Sequence, residues 1–366
     1  TLVTNYSSLH EVNLHYWQSQ RFKQWGYTFM TGYTGQRASD VNEDGFSDLP
    51  RLQSLQLHPS LFWYPDSKTI IKFSYHYTGE QRTGGDMLAL DQTSLDHTFF
   101  EANMLQRHNL AAQISRRINQ QQSILVKASL GSFQQQQRSD SMLRSGRQQN
   151  LFTEASWLYE KGNMHLIGGL NLYGLKFNPT TRGYLFGSFR QFSEGVFTQL
   201  TESISRNSTL EVGFRLDHNQ AYGYFPLPRL ALFHRFNEHW GSRLGIGWGY
   251  SLPTPFVSFY RETDPGKLEA LSDQIRAEHS IGYNAEINYR MHWKQNRLFI
   301  NQAFFLTDVK NPLQLGVRSN GSQYLYNQDG PMRSAGTDTY IQLALGEWEF
   351  YFGYSKNVRS VFNSSE

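Results

Sequence analysis

The sequence predicts an all-β chain, an antiparallel β-barrel that crosses a membrane with strands. Three observations carry that expectation. Apolar and polar residues alternate in segment after segment along the 366 residues, and a period of two marks a strand with one greasy face and one wet face. The connections between segments alternate between brief and long, as in barrels whose turns and loops lie at opposite ends. Tryptophans gather near the brief connections.

Composition supports the same class. Aromatics make up 15% of the chain, Gly occupies 30 positions and charged residues reach 18%, a mixture that favours twisted strands and tight turns over long solvated helices. No stretch approaches the ~20 consecutive apolar residues of a membrane-spanning helix, which excludes a helical membrane protein. The 34 basic and 31 acidic residues leave a net charge of +3, too balanced for a nucleic-acid binder. The absence of Cys removes disulfide scaffolds, thiolate zinc sites and cysteine nucleophiles together. The opening TLVTNYSSLH has no basic or apolar leader region and no Met start, as expected of a mature protein or an internal fragment.

Taken in order, about sixteen strands are expected. In 9–18, Val12, Leu14 and Tyr16 alternate with Glu11, Asn13 and His15. Strands 24–34 and 51–64 follow, and in 69–80 Ile71, Phe73, Tyr75 and Tyr77 alternate with Lys72, Ser74, His76 and Thr78. The next are 98–117, 123–137, 149–160, 164–177 and 185–203. Strand 208–219 sets Leu210, Val212, Phe214 and Leu216 against Glu211, Gly213, Arg215 and Asp217. After 227–236, strand 240–251 sets Leu244, Ile246 and Trp248 against Arg243, Gly245 and Gly247. Strands 275–290, 297–309, 322–345 and 348–357 complete the series. Brief connections are expected at 65–68, 161–163, 237–239 and 346–347, and longer polar ones at 35–50, 81–97, 138–148, 252–274 and 310–321.

Trp17, Trp25, Trp63, Trp157, Trp240, Trp293 and Trp348 lie in or near a brief connection, and Trp248 lies away from that end. Such clustering fits an interfacial girdle, because an indole is apolar in body yet places its N–H at a wet boundary. The polar face fits too: alternate Gln, Arg, Ser, Gly and Glu are poor core material for a sandwich and suit a hydrated interior. Apolar residues would then face lipid, while neighbouring strands pair every backbone amide.

The sharpest local motif is DVNEDGFSD at 40–48. Asp40, Asn42, Asp44, the Phe46 carbonyl and Asp48 fall at positions 1, 3, 5, 7 and 9 of a calcium-loop pattern, with Gly45 at the sharp turn. Position 12 is Arg51 where an EF-hand needs a bidentate Glu, and strands flank the segment. Two readings stand: a structural Ca²⁺ bracing an external loop, or a turn held by Asx bonds. No cofactor is required. Aromatic residues beside Arg could stack on a ligand and bind its anionic oxygens. The candidate contacts are Arg82, Tyr184, Tyr222, Tyr224, Phe225, Arg229, Tyr260 and Arg261. The 12 His are scattered without an HExxH pair, and no GxSxG or Walker sequence occurs, so an enzyme is not expected.

The segments DVNEDGFSDLP at 40–50, HPSLFWYPDSKTIIKFSYHYTGEQRTGGDM at 58–87 and LEVGFRLDH at 210–218 resemble TonB-dependent outer-membrane receptors. PRLALFHRFNEHWGSRLGIGWGYSLPTPF at 228–256, AFFLTDVKNPL at 303–313 and YNQDGPMRSAGTDTYIQLAL at 326–345 extend the resemblance. It implies that residues 1–366 are one partial barrel domain, about sixteen of twenty-two strands, truncated at both ends and without the N-terminal plug. In the resemblance, Gly336 holds a late-strand Gly and Glu278 opens a late strand in a structural role. Where the haem branch usually shows FRAP, Leu252, Pro253 and Thr254 stand here, and nothing matches the NPxL segment that follows it, so haem uptake is not expected. The resemblance implies energy-coupled import of a scarce metal chelate, a ferric siderophore first and cobalamin next. Its partners would be outer-membrane lipid, the TonB complex acting through the plug and its box, and the chelate, with no nucleic acid. A surface nutrient- or glycan-binding β protein and a passive porin are the alternatives.

Overall fold

The structure is a computed structural model and describes residues 1–90, 99–139, 142–256 and 266–361. It is built almost entirely of strands, with a single four-residue helix α1 (Met87–Leu90) among the described residues. Two compact units make up the chain. One holds residues 1–156, 171–193 and 264–270, and the other holds 157–170, 194–263 and 271–366.

The first unit contains β1 (Leu2–Tyr6), β2 (Glu11–Arg21), β3 (Trp25–Gln36), β4 (Arg51–Asp66), β5 (Thr69–Gly85), β6 (Phe100–Arg117) and β7 (Gln122–Ser139). From β1 to β7 each strand pairs antiparallel with the next in sequence. β8 (Leu143–Lys161), β9 (Met164–Pro179) and β10 (Phe189–Glu202) have residues in both units. The second unit continues with β11 (Ser208–Asn219), β12 (Gly223–Arg235), β13 (Trp240–Ser251), β14 (Glu278–Trp293), β15 (Asn296–Lys310), β18 (Met332–Leu345) and β19 (Trp348–Val361). These too pair in succession. Between β15 and β18 a separate ribbon is inserted, β16 (Leu313–Val317) with β17 (Gln323–Asn327).

Register turns the sequence alternation into two chemically distinct faces, since neighbours along a strand point to opposite sides. In the first unit Leu61 pairs with Phe73, which pairs with Ala112, while the adjacent row joins Ser60, Ser74 and Ala111. Phe73 is 51% exposed and Ser74 only 7%, and the Ser60 and Ser74 hydroxyls bond at 2.9 Å. The second unit repeats this: Leu232, Leu244, Ala285 and Phe304 form one row, and Ala231, Gly245, Asn284 and Phe305 the next. Leu244 is 54% exposed and Ala231 7%. In each unit the outward face is apolar and exposed, the reverse of a water-soluble sheet. The large apolar side chains of these rows project away from any protein core, and lipid is the solvent that accepts them.

The opposite face is polar and paired within itself. Thr34 donates to Asn13 at 2.7 Å, and Lys127 meets Glu154 at 3.2 Å. In the second unit Arg229 meets Glu211 at 3.1 Å, and Asn301 donates to Glu286 at 2.6 Å.

The tryptophan girdle is placed where expected, with one exception. Trp25 and Trp63 are cross-strand partners, stacked at 5.5 Å with ring planes 11° apart. Trp240 pairs with Tyr289 at 4.8 Å, and Trp348 lies against Phe350 beside the turn after β18. Trp17 departs: it pairs with Met30, which pairs with His58, on the polar side.

All sixteen expected strands have a counterpart, and the differences lie at the loop ends. β1 and β16 stand outside the expected set, and the expected strand 322–345 is divided into β17 and β18. β5 runs on to Gly85 and β7 to Ser139, with β8 starting at Leu143. The start of the expected connection 81–97 and most of 138–148 are therefore strand. Polar residues there continue the ladder because backbone pairing does not need an apolar side chain once the wet face is exposed.

Candidate functional site

The loop from Gln36 to Arg51 carries the Asp-rich motif, in the first unit. A bridge between Ser39 and Leu49 closes its neck, and Phe46 bridges to Asp86 beside α1. Glu43 and Gly45 both take positive φ, 62° and 88°, the left-handed turn that the Gly accommodates without strain. Asp40 accepts from the backbone N–H groups of Asp44 at 3.2 Å and Gly45 at 2.7 Å. Asn42 accepts from the Asp44 N–H at 3.2 Å, and Asp44 accepts from the Phe46 N–H at 2.8 Å. Asp48 reaches back to the N–H groups of Val41 and Asn42 at 2.7 and 3.1 Å. Asp40, Asn42, Asp44 and Asp48 thus all satisfy backbone donors of the same loop, the arrangement of successive Asx turns. No group of three or more metal-ligating acidic or His side chains occurs among the described residues.

Tyr184 is the centre of a second cluster of the first unit, in the connection from β9 to β10. Its ring meets Phe177 edge-on at 5.1 Å and Phe186 at 5.4 Å, and Phe177 and Phe186 are both buried. The buried Arg144 guanidinium lies 5.8 Å from the Tyr184 centroid, and its Nε donates to the Gly183 carbonyl at 3.2 Å. The Thr180 N–H donates to the Ser145 carbonyl and the Ser145 N–H to the Thr181 hydroxyl, both at 2.9 Å, tying this loop to the start of β8. The cation joined to Tyr184 is therefore Arg144. Arg82 lies on β5, outside any loop, and meets Glu80 at 3.2 Å.

The aromatic set of the second unit is not a loop cluster. Tyr224, Phe225 and Arg229 all belong to β12, and strand alternation separates the first two. Tyr224 is 69% exposed and faces His218 at 4.5 Å. Phe225 is 1% exposed, stacked on Tyr250 at 4.0 Å and against His279 at 5.3 Å. Phe225 thus packs in a core and presents no surface for a ligand to stack on. Tyr222, in the turn from Asn219 to Gly223, is half-buried, which pushes its phenol up from the usual range. Its N–H donates to Asn219 Oδ1. Tyr260 and Arg261 lie outside the described residues.

Two groupings were not expected from sequence. Beneath Phe225, Asp217 accepts from Arg215 Nε at 2.7 Å and from the Tyr250 hydroxyl at 2.8 Å, so a buried carboxylate on β11 joins two strands. The ribbon β16–β17 presents Tyr326, exposed, and Tyr324 beneath the Arg318 guanidinium at 4.4 Å. Glu278 accepts from the Leu313 N–H at 2.7 Å, anchoring the ribbon to β14. A signal for the ribbon was present: LQLGV and QYLYN flank an Asn320–Gly321 turn with Gly321 at φ 81°, and Asn-Gly between alternating segments marks a hairpin.

Exposed apolar faces backed by polar inner pairs define a class of protein whose strands lie between lipid and water. A model of the family described as TonB dependent receptor-like, beta-barrel, matches residues 5–364, and the chain belongs to that family. The chain matches no curated protein. Among solved structures it is similar to the siderophore receptor PirA from Pseudomonas aeruginosa, with a TM-score of 0.75 at 13% identity over 96% of this chain and 63% of that one. It is also similar to the Serratia marcescens hemophore receptor HasR, solved with its hemophore HasA and heme, with a TM-score of 0.75 at 12% identity over 98% and 62%. The copper transporter OprC gives 0.72 at 12% identity over 96% and 59%. These likenesses show the shared barrel fold. The chain spans about three-fifths of the length of the solved structures it matches.

Proposed function

We propose that residues 1–366 act as a single barrel domain in the outer membrane, within an energy-coupled importer that moves a scarce metal chelate into the periplasm. A ferric siderophore is the first choice of cargo and cobalamin the second. The observation that carries the proposal is the two-faced register in a chain of the TonB-dependent receptor family: a lipid-facing apolar side and a polar side able to line a hydrated passage. Loops supply capture chemistry. In the second unit the Arg318–Tyr324 pair on the ribbon sets a cation over an aromatic ring, with Tyr326 exposed beside it. In the first unit Tyr184 lies near Arg144, and each pairing suits an aromatic anionic chelate. The role is transport, without catalysis, and the TonB complex would act through a plug and its box.

Growth of a deletion strain on limiting ferric siderophores and on limiting cobalamin tests the proposal. Loss of growth on one ferric siderophore, restored by the intact gene, is the expected result. Unchanged uptake of every chelate tried would contradict it.

For the 40–48 loop we propose that Asx bonds set its shape. The alternative is a Ca²⁺ brace on Asp40, Asn42, Asp44, Phe46 and Asp48. Isothermal titration of the full-length protein with Ca²⁺ separates the two: no binding that depends on Asp44 is expected, and binding lost in Asp44→Ala would establish the brace.

A further inference from the structure

Trp17 and Met30 are large apolar side chains on the polar side of the first unit. They are cross-strand partners, 47% and 39% exposed. Register extends their row: Met30 pairs with His58 on β4, and the His58 ring lies 4.7 Å from the His76 ring on β5. Strand alternation puts His76 on the face of Ser74, opposite Phe73. All four residues stand in mid-strand. Neighbouring strands β2 to β5 thus present an indole, a thioether and two imidazoles side by side, and residues directly opposite on one face stand about 4.5–5.5 Å apart at Cβ. Neither imidazole forms a hydrogen bond or an ion pair with a described residue. No Asp or Glu occupies this row, or the next row on either side, across β2 to β6. Arg107 on β6, one row nearer the long loops, is turned to Phe133 on β7, 5.1 Å from its ring centroid.

Imidazoles and a thioether without carboxylates form the ligand set of a soft metal ion, whereas Ca²⁺ and Mg²⁺ need oxygens. We propose that this row binds a bare soft monovalent cation of the copper(I) class, held by His58, His76 and the Met30 sulfur, with the Trp17 ring offering its π face to the charge. The unbranched Met side chain has three rotatable bonds with which to bring its sulfur to an ion beside the rings. Because every ligand is neutral, the bound ion keeps its full charge, and a single charge is disfavoured less than a double one where no anion offsets it. The site rests on the reading that the polar side meets water, and it is independent of which chelate the loops capture.

Isothermal titration of the full-length protein in detergent tests the site, with silver(I) nitrate as the air-stable stand-in and Zn²⁺ in a separate arm. The parent should bind one more equivalent of silver(I) than His58→Gln/His76→Gln. Met30→Leu, which keeps the size and apolarity of the side chain, should weaken that equivalent at least about tenfold, the scale on which even outer-shell partners act on a metal site. His108→Gln, which alters an imidazole on the apolar side, should bind as the parent does. Equal silver(I) stoichiometry and affinity in the double variant would overturn the proposal. So would Zn²⁺ binding to the same His pair as tightly as silver(I), with no effect of Met30→Leu. Heat-modifiable migration in detergent gels separates this failure from that of the membrane reading. A parent that migrates as a folded barrel yet has no silver(I) equivalent dependent on His58 and His76 loses the site alone, whereas a parent whose migration heat does not change contradicts the membrane reading as well.

Discussion

Gly336 occupies a position with no space for a side chain. A Cβ there would lie 2.3 Å from the Phe305 ring and 2.6 Å from the Lys356 carbonyl oxygen, and the second of these is backbone that cannot rotate away. Gly336→Ala should therefore destabilise the barrel by about 1–3 kcal/mol through overpacking. The midpoint of urea unfolding in detergent reads this, and an unchanged midpoint would show that the strands separate freely there. Asp217 makes a complementary case, since it is 3% exposed and accepts from both Arg215 and Tyr250. Asp217→Ala removes one acceptor from the partly exposed Arg215 guanidinium and the acceptor of the half-buried Tyr250 hydroxyl, and should cost about 1–3 kcal/mol. Tyr250→Phe removes one of the two bonds and should cost less in the same assay; an equal or larger loss would mean that the carboxylate is not the hub.

Elements were more legible than the contacts between them. Period-two alternation identified the spans because lipid and water each select one set of side chains, a constraint that acts at every second position of every strand. It failed where that selection stops. Beyond the apolar band β5 and β7 continue as polar strands, and in such stretches no hydropathy signal distinguishes strand from loop. The same limit explains the candidate site. Sequence adjacency suggested that Tyr222, Tyr224, Phe225 and Arg229 act together, yet strand alternation sends Tyr224 outward and Phe225 into a core. Arg144 reaches Tyr184 from a strand about forty residues earlier, and no local pattern announces such a pairing. The Asp-rich loop was legible as a turn because its bonds span only a few residues. At this scale the girdle is testable. Trp25→Ala removes the stack with Trp63 and should cost about 0.5–1.5 kcal/mol beyond the lost apolar area. A double-mutant cycle with Trp63→Ala measures the coupling, and strictly additive effects would deny that the two rings act as a pair.

For the whole molecule, the central claim is that one face of each sheet region meets hydrocarbon and the other meets water. A charge on the apolar side should therefore be penalised by depth. Phe304→Arg, in the row with Leu244 and Ala285, should cost about 2–4 kcal/mol if it lies near the bilayer midplane, with heat-modifiable migration in detergent gels as the readout of assembly. Sequence and structure agree on this claim because lipid exposure acts on composition itself, whereas ligand choice rests on a few loop side chains that no periodicity constrains. The most direct measurement places spin labels, one at a time, at the adjacent positions Arg243 and Leu244 of the full-length protein in bilayers. Collision with molecular oxygen should dominate at 244 and collision with a water-soluble nickel chelate at 243. Equal accessibility to both reagents at the two positions would contradict the account.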